Sequence, residues 1–130
     1  ACSISQKAAT AALNGDQSGV LEMYKEFRKR HDFVVARLNR LPGISCLAGA
    51  GTFYTFANVE GAMKATGCRT DNDFAEFLLN TAGVAVVPGS GFGAPGHMRI
   101  SFATSMAMLE SAIERMAKAL TGQRLAVGNG

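Results

Sequence analysis

Arg99 is the residue of this sequence with the clearest capacity for binding chemistry. It lies in a segment where apolar and polar residues alternate with a period of two, which is typical of a strand with one face against a core. Met98, Ile100 and Phe102 form the apolar side, so we expect Arg99 to point away from the core. A guanidinium held on a rigid strand can bind a carboxylate through two parallel hydrogen bonds. A surface salt bridge is the commoner role for such an arginine, and the spacing leaves both roles open.

A glycine-rich stretch directly before this strand raises the question of a nucleotide site. Gly91, Gly93 and Gly96 have the spacing of the dinucleotide-binding fingerprint, and the apolar segment 84–87 precedes them. That fingerprint requires a helix after the last glycine, because the free N–H groups of the helix bind the pyrophosphate. Here a strand pattern follows, and Pro95 inside the loop also opposes a helix start. The pattern therefore predicts a strand, a long glycine loop and a returning strand.

No other group of residues competes with this one as a site. The two histidines, His31 and His97, lie near no carboxylate at a spacing typical of a catalytic triad or a zinc site. His31 falls in an apolar helical stripe, so we expect a packed or edge histidine there. The three cysteines are widely spaced and form neither a metal-ligand pattern nor a disulfide framework. We therefore expect no metal, and a reducing cytoplasmic setting.

Composition indicates one folded domain. The chain has 130 residues, of which 48% are hydrophobic and 18% are charged, and its net charge is +3. The basic run at 28–31 is expected to be a solvated helix face, since no nucleic-acid motif accompanies it. No apolar run approaches the ~20 residues that span a membrane, and no signal peptide is recognisable. The start Ala1-Cys2-Ser3, without methionine, is compatible with a piece of a longer protein.

Hydrophobic periodicity predicts eight elements in the order helix, helix, strand, strand, helix, strand, strand, helix. They are helices 4–13 and 18–41, strands 44–47 and 52–58, a helix closed by Gly83, strands 84–87 and 97–103, and a last helix between Ser105 and Gly122. Segment 59–69 is predicted to be irregular or weakly helical. Hairpin-like connections with the helices on one face indicate an α+β fold with a small antiparallel-type sheet of about four strands.

Local signals specify helix starts and strand faces. Ser3–Gln6 and Thr70–Asp73 each fit a capping box at a helix start. In the second strand, Tyr54 and Phe56 share a face, which we expect to meet the helices. Phe53 then faces solvent or a partner surface.

Five short motifs occur in one order along the chain. They are SISQ at 3–6, LPGI at 41–44, GTFY at 51–54, GVAVVPGS at 83–90 and RISFA at 99–103. This combination resembles the C-terminal part of class I aminotransferases, which are pyridoxal-phosphate enzymes of fold type I. The family usually has GAFY as the third motif. The resemblance covers nearly all of the chain and is nearest to the prokaryotic-type aspartate aminotransferases.

The resemblance implies roles for particular residues. Arg99 matches the family arginine that binds the substrate α-carboxylate, and Phe53 matches an aromatic residue near the entrance of the active site. The loop formed by Ser90, Gly91 and Phe92 should approach the same cleft. The family's cofactor-binding residues, including the lysine that holds pyridoxal phosphate, lie upstream of the first motif, so no cofactor-binding or catalytic residue is expected here.

The resemblance therefore implies an inactive C-terminal fragment of an aspartate aminotransferase-like enzyme. Residues 1–18 would be an interdomain helix segment and residues 19–130 the small domain that closes over the active site. Its partners would be the N-terminal large domain, a second subunit in a homodimer, and amino acid and 2-oxo acid substrates, with no nucleic acid and no membrane. The alternative is a free-standing α+β module that binds a small carboxylate or a protein partner.

Overall fold

The computed structural model describes residues 1–122, which form five α-helices and a four-stranded sheet. The elements in chain order are α1 (Ser3–Asn14), α2 (Ser18–Leu38), β1 (Ser45–Cys46), β2 (Tyr54–Asn58), α3 (Glu60–Thr66), α4 (Asp71–Ala82), β3 (Val87–Pro88), β4 (His97–Ser101) and α5 (Met106–Leu120). A short 3-10 helix, Gly89–Phe92, connects β3 to β4. The end of the predicted small domain, residues 123–130, lies outside the described residues.

The sheet is antiparallel throughout, with strand order β1-β2-β4-β3. Helix α2 packs on β1 and β2, α4 packs on β3 and β4, and α5 lies against α2 and α4. The predicted α+β fold with about four antiparallel strands is confirmed. None of the helices in the described part of the chain is both long enough and apolar enough to cross a membrane.

The core lies between the sheet and the helices that cover one of its faces. Burial of each large apolar side chain contributes roughly 1.5–3 kcal/mol, so this layer supplies most of the driving force for folding. The largest fully buried side chains are Phe74, Phe102, Leu38, Leu78, Met98, Met116, Val34 and Val59.

The capping box at the start of α4 is confirmed. The hydroxyl of Thr70 accepts a hydrogen bond from the backbone N–H of Asp73 at 3.1 Å, and the Asp73 carboxylate accepts one from the backbone N–H of Thr70 at 2.9 Å. Hydrogen bonding of the Asp73 carboxylate with the backbone and the side chain of Thr70 lowers the pKa of Asp73. The helix ends, as predicted, at Gly83, which adopts a left-handed conformation with φ of 61°.

Two predicted features of the first helices are wrong. Helix α1 already includes Ser3, so the hydroxyl of Ser3 does not cap it, and the Gln6 side chain donates instead to the carbonyl of Ala1 at 2.9 Å. Helix α2 ends at Leu38 and not at residue 41. The reason is Asn39, whose side-chain amide exchanges two hydrogen bonds with the backbone of Cys46, at 2.8 and 2.9 Å, and so ties the helix end to β1.

In the second half, the segment 59–69, predicted to be irregular or weakly helical, contains helix α3, whose first backbone N–H donates to the side-chain oxygen of Asn58 at 3.2 Å. One prediction there needs correction. The predicted strand 84–87 is reduced to the pair Val87–Pro88. Val84 does not join the sheet, because its backbone N–H donates to the carbonyl of Leu78 at 3.2 Å and so completes the C-terminal end of α4.

Gly43, in the LPGI motif, should tolerate no side chain. It has φ of +72°, and an added Cβ would lie 2.3 Å from the backbone nitrogen of Ala62 in α3. Gly67 is a matched control, because it has φ of +75° and no heavy atom within 4 Å of an added Cβ. In denaturant unfolding, Gly67→Ala should lose about 1–2 kcal/mol from backbone strain, and Gly43→Ala should lose clearly more. Equal losses would show that the contact with α3 is unimportant.

Candidate carboxylate-binding site

Arg99 occupies the centre of β4, which is an interior strand of the sheet. Its side chain is half-buried, and it pairs across the sheet with Phe56 on one side and Val87 on the other. Met98 and Phe102 are both 1% exposed and point into the core. The predicted alternation is therefore confirmed, and Arg99 lies on the sheet face opposite the helices, hereafter the open face.

Two aromatic rings hold the Arg99 guanidinium. Its Cζ atom lies 5.2 Å from the centroid of the Tyr54 ring and 4.7 Å from that of Phe92. Such cation–π contacts are worth roughly 0.5–2 kcal/mol each and restrict the orientation of the guanidinium plane. Within residues 1–122, Arg99 pairs with no carboxylate, and its guanidinium donates no hydrogen bond to the protein. A salt bridge inside this part of the chain is therefore not its role.

The open face continues as an aromatic cluster around Arg99. The Phe56 ring stacks on the imidazole of His97, with centroids 5.4 Å apart and planes 11° apart. It also meets the ring of Phe92 edge-on at 6.1 Å. A planar anion that reaches Arg99 would therefore lie beside aromatic rings, which displace water and strengthen its electrostatic attraction to the guanidinium.

The predicted faces of β2 are wrong. Tyr54 and Phe56 lie on the open face, whereas Thr55 and Ala57, which are 3% and 0% exposed, point to the helices. The antiparallel register places Phe56 directly opposite Arg99, and paired residues share a face. The two small residues on the inner face allow α2 to approach the sheet closely.

Phe53 lies at the end of the open face, directly before β2. Its ring is 54% exposed and meets the ring of Tyr54 edge-on at 5.4 Å. Its carbonyl accepts a hydrogen bond from the N–H of Phe102 at 2.8 Å. Phe53 is therefore anchored through its backbone while its ring stays exposed, as predicted, beside the ring of Tyr54.

The three residues of the predicted active-site loop differ in their contacts. Phe92 reaches the Arg99 guanidinium, whereas Gly91 is exposed. Ser90 turns towards α4, where its backbone N–H donates to the carboxylate of Asp71 at 2.5 Å. Sequence reasoning missed this contact between Asp71 and the loop, because Asp71 resembles any acidic residue in the first turn of a helix.

His31 is a packed histidine, as predicted. It is 6% exposed, and its ring meets the ring of Phe102 edge-on at 5.8 Å. Its Nε2 accepts a hydrogen bond from the N–H of Gly49 at 3.1 Å, which assigns the proton to Nδ1, facing Asp32 at 2.9 Å. The hydrogen bond from His31 lowers the pKa of Asp32. This imidazole orders the β1–β2 connection and takes no part in the Arg99 cluster.

Comparison with known proteins identifies the family. A profile of the aminotransferase class I and II family matches residues 1–116. The chain belongs to this family. It is 46% identical over 114 residues to the aspartate aminotransferase of Geobacillus stearothermophilus, and 45% identical over 125 residues to the aspartate/prephenate aminotransferase of Nitrosomonas europaea. These matches cover 88% and 92% of this chain but only 29% and 32% of those two proteins.

The fold agrees with that assignment. The crystal structure of the aspartate aminotransferase from Rhizobium meliloti superposes with a TM-score of 0.83 at 44% identity, over 91% of this chain and 31% of that one. An alanine aminotransferase from Pyrococcus furiosus superposes with a TM-score of 0.82 at 35% identity, covering 88% and 29% of the two chains. The chain thus has a fold type I aminotransferase architecture and spans about a third of the length of its relatives.

Pyridoxal phosphate, the cofactor that this family implies, does not fit the residues of this chain alone. A lysine would have to face the site to hold the cofactor covalently. The open face of the sheet carries none. All five lysines are exposed and lie on helices, namely Lys7, Lys25, Lys29, Lys64 and Lys118. The described residues therefore place no lysine on the face of the sheet that carries Arg99.

Arg99 should matter little for folding. Arg99→Lys keeps the charge on the half-buried open face, so the free energy of unfolding should fall by no more than about 1 kcal/mol through weakened ring contacts. Met98→Ala, on the same strand but facing the core, should cost roughly 2–5 kcal/mol. Denaturant titrations of both variants compare the two faces directly. If Arg99→Lys destabilises as much as Met98→Ala, Arg99 is a structural residue.

Proposed function

We propose that this chain is the C-terminal part of a pyridoxal-phosphate-dependent aminotransferase of the aspartate aminotransferase type, and that Arg99 binds the α-carboxylate of its substrates. The observation that carries the proposal is the Arg99 guanidinium, which two aromatic rings hold on the open face and which pairs with no carboxylate in residues 1–122. The family assignment supports it independently.

The physical basis is the match between two planar groups. A guanidinium offers parallel N–H donors that fit both oxygens of a carboxylate, and the bidentate contact fixes the direction of the substrate's Cα. The rings of Tyr54 and Phe92 limit rotation of the guanidinium, so less entropy is lost when the substrate binds. Closure of this domain over the substrate would exclude water and strengthen the contact. The cofactor would supply the electron-withdrawing chemistry of amino-group transfer and would be held by the rest of the enzyme.

Exposed apolar side chains in the first forty residues support the presence of a further domain of the same enzyme that covers them. Helix α1 has no buried residue, and Ile4 and Leu13 are 77% and 81% exposed. In α2, Val20 and Tyr24 continue the buried stripe but are 53% and 61% exposed. We propose that residues 1–18 are an interdomain helix segment and that an N-terminal large domain covers these side chains. We further propose that the complete enzyme is a homodimer and that its substrates are amino acids and 2-oxo acids. This proposal is preferred to the alternative of a free-standing binding module.

In the complete enzyme, Arg99→Lys should lower kcat/KM for amino acids by two to three orders of magnitude. Lysine keeps the charge but loses the fork geometry, and disrupting a buried charged contact typically costs about 2–5 kcal/mol. Arg40→Lys, at an exposed position on the opposite side of the sheet, is the matched control and should leave kcat/KM unchanged. Normal transamination by Arg99→Lys would overturn the assignment.

The 130-residue chain alone should fix pyridoxal phosphate at no single lysine. Its five lysines are all exposed on helix surfaces, whereas a lysine that forms a Schiff base lies in a desolvated pocket. The chain is incubated with the cofactor, reduced with borohydride and digested, and the labelled peptides are mapped by mass spectrometry. Weak labelling spread over several lysines is expected. Stoichiometric labelling of one lysine would contradict the proposal that the cofactor is held by the rest of the enzyme.

A further inference from the structure

Asp71 is a buried carboxylate that helix capping does not explain. It is the first residue of α4 and only 4% exposed. The capping box of this helix is made by Thr70 and Asp73, so Asp71 is not needed for it. Burial of a carboxylate is costly unless the group is hydrogen-bonded. Among the described residues its hydrogen bond is the one from the backbone N–H of Ser90, at 2.5 Å.

That hydrogen bond anchors the 3-10 helix Gly89–Phe92 as a unit. Backbone bonds from Gly93 to Ser90 at 3.0 Å and from Ala94 to Gly89 at 3.1 Å close the turn. The turn is also tightly packed, since a Cβ on Gly89 would lie 2.3 Å from the Ala94 carbonyl oxygen. A constraint on Ser90 is therefore transmitted to the last residue of the turn, whose ring contacts the guanidinium of the site.

We propose that Asp71 is a positioning residue for carboxylate binding. It fixes the turn, the turn fixes the Phe92 ring, and the ring holds the Arg99 guanidinium at 4.7 Å. Asp71 makes no ion pair with Arg99 in the described residues, so it acts through the turn and not by direct charge pairing. The inference rests on the proposed function of Arg99 in an aminotransferase.

The test uses the complete enzyme and the non-reacting carboxylate succinate. Asp71→Ala should raise KM for amino acid substrates, and the Kd of succinate measured by calorimetry, about tenfold, because a lost cation–π contact is of that size. The effect on kcat should be smaller. Asp71→Asn keeps an acceptor oxygen but loses the charge that strengthens the hydrogen bond, so it should restore part of the affinity and leave an effect of about threefold. Asp73→Ala removes the capping box of the same helix, so it should lower the melting temperature without changing KM or Kd.

A double-mutant cycle keeps the test decisive if Asp71→Ala does not fold. Once Phe92→Leu has removed the ring, Asp71→Asn should raise the Kd of succinate no further. If the two changes have additive effects on the binding free energy of succinate, the positioning role is overturned. It is also overturned if the KM of the Asp71→Ala enzyme matches that of Asp73→Ala. In either case an active parent enzyme leaves the proposed function standing, whereas a parent without aminotransferase activity overturns both.

Discussion

The antiparallel pairing of β2 with β4 is the interaction on which the rest of the structure depends. Its register sets Phe56 opposite Arg99 and Ala57 opposite Met98. One face of these two strands therefore closes the core, while the other collects Arg99 and its aromatic neighbours. A slip of one residue would exchange the two faces and place the guanidinium among the helices, where an unpaired charge is very unfavourable. The same pairing thus stabilises the fold and exposes the candidate site.

The aromatic residues at this site are held by two different parts of the chain. Tyr54 and Phe56 are fixed by the sheet, whereas Phe92 is fixed by a turn that Asp71 ties to α4. The site is therefore built from three segments that are distant in sequence and become neighbours only when the sheet and α4 are packed. This arrangement explains how one half-buried arginine can be held in a defined orientation without a carboxylate partner in residues 1–122.

Much of this could be predicted from the sequence, and the failures have physical reasons. The alternation around Arg99 gave its face correctly, because Met98 and Phe102 leave one side for the core. In β2 the alternation showed that Tyr54 and Phe56 share a face, but the choice between the faces depends on the partner strand's register, which local sequence does not contain. Asp71 gave no signal because its partner, Ser90, is 19 residues away. The capping box at Thr70 was predictable because both of its members lie within one turn.

The proposed role of Arg99 is to bind a substrate carboxylate on the open face of the sheet. The most direct measurement is a crystal structure of the complete enzyme with a bound non-reacting substrate analogue. We expect both carboxylate oxygens to lie within about 3 Å of two guanidinium nitrogens of Arg99, with the rings of Tyr54 and Phe92 still against the guanidinium. An analogue whose carboxylate binds elsewhere, with Arg99 paired to a carboxylate of the protein, would contradict it.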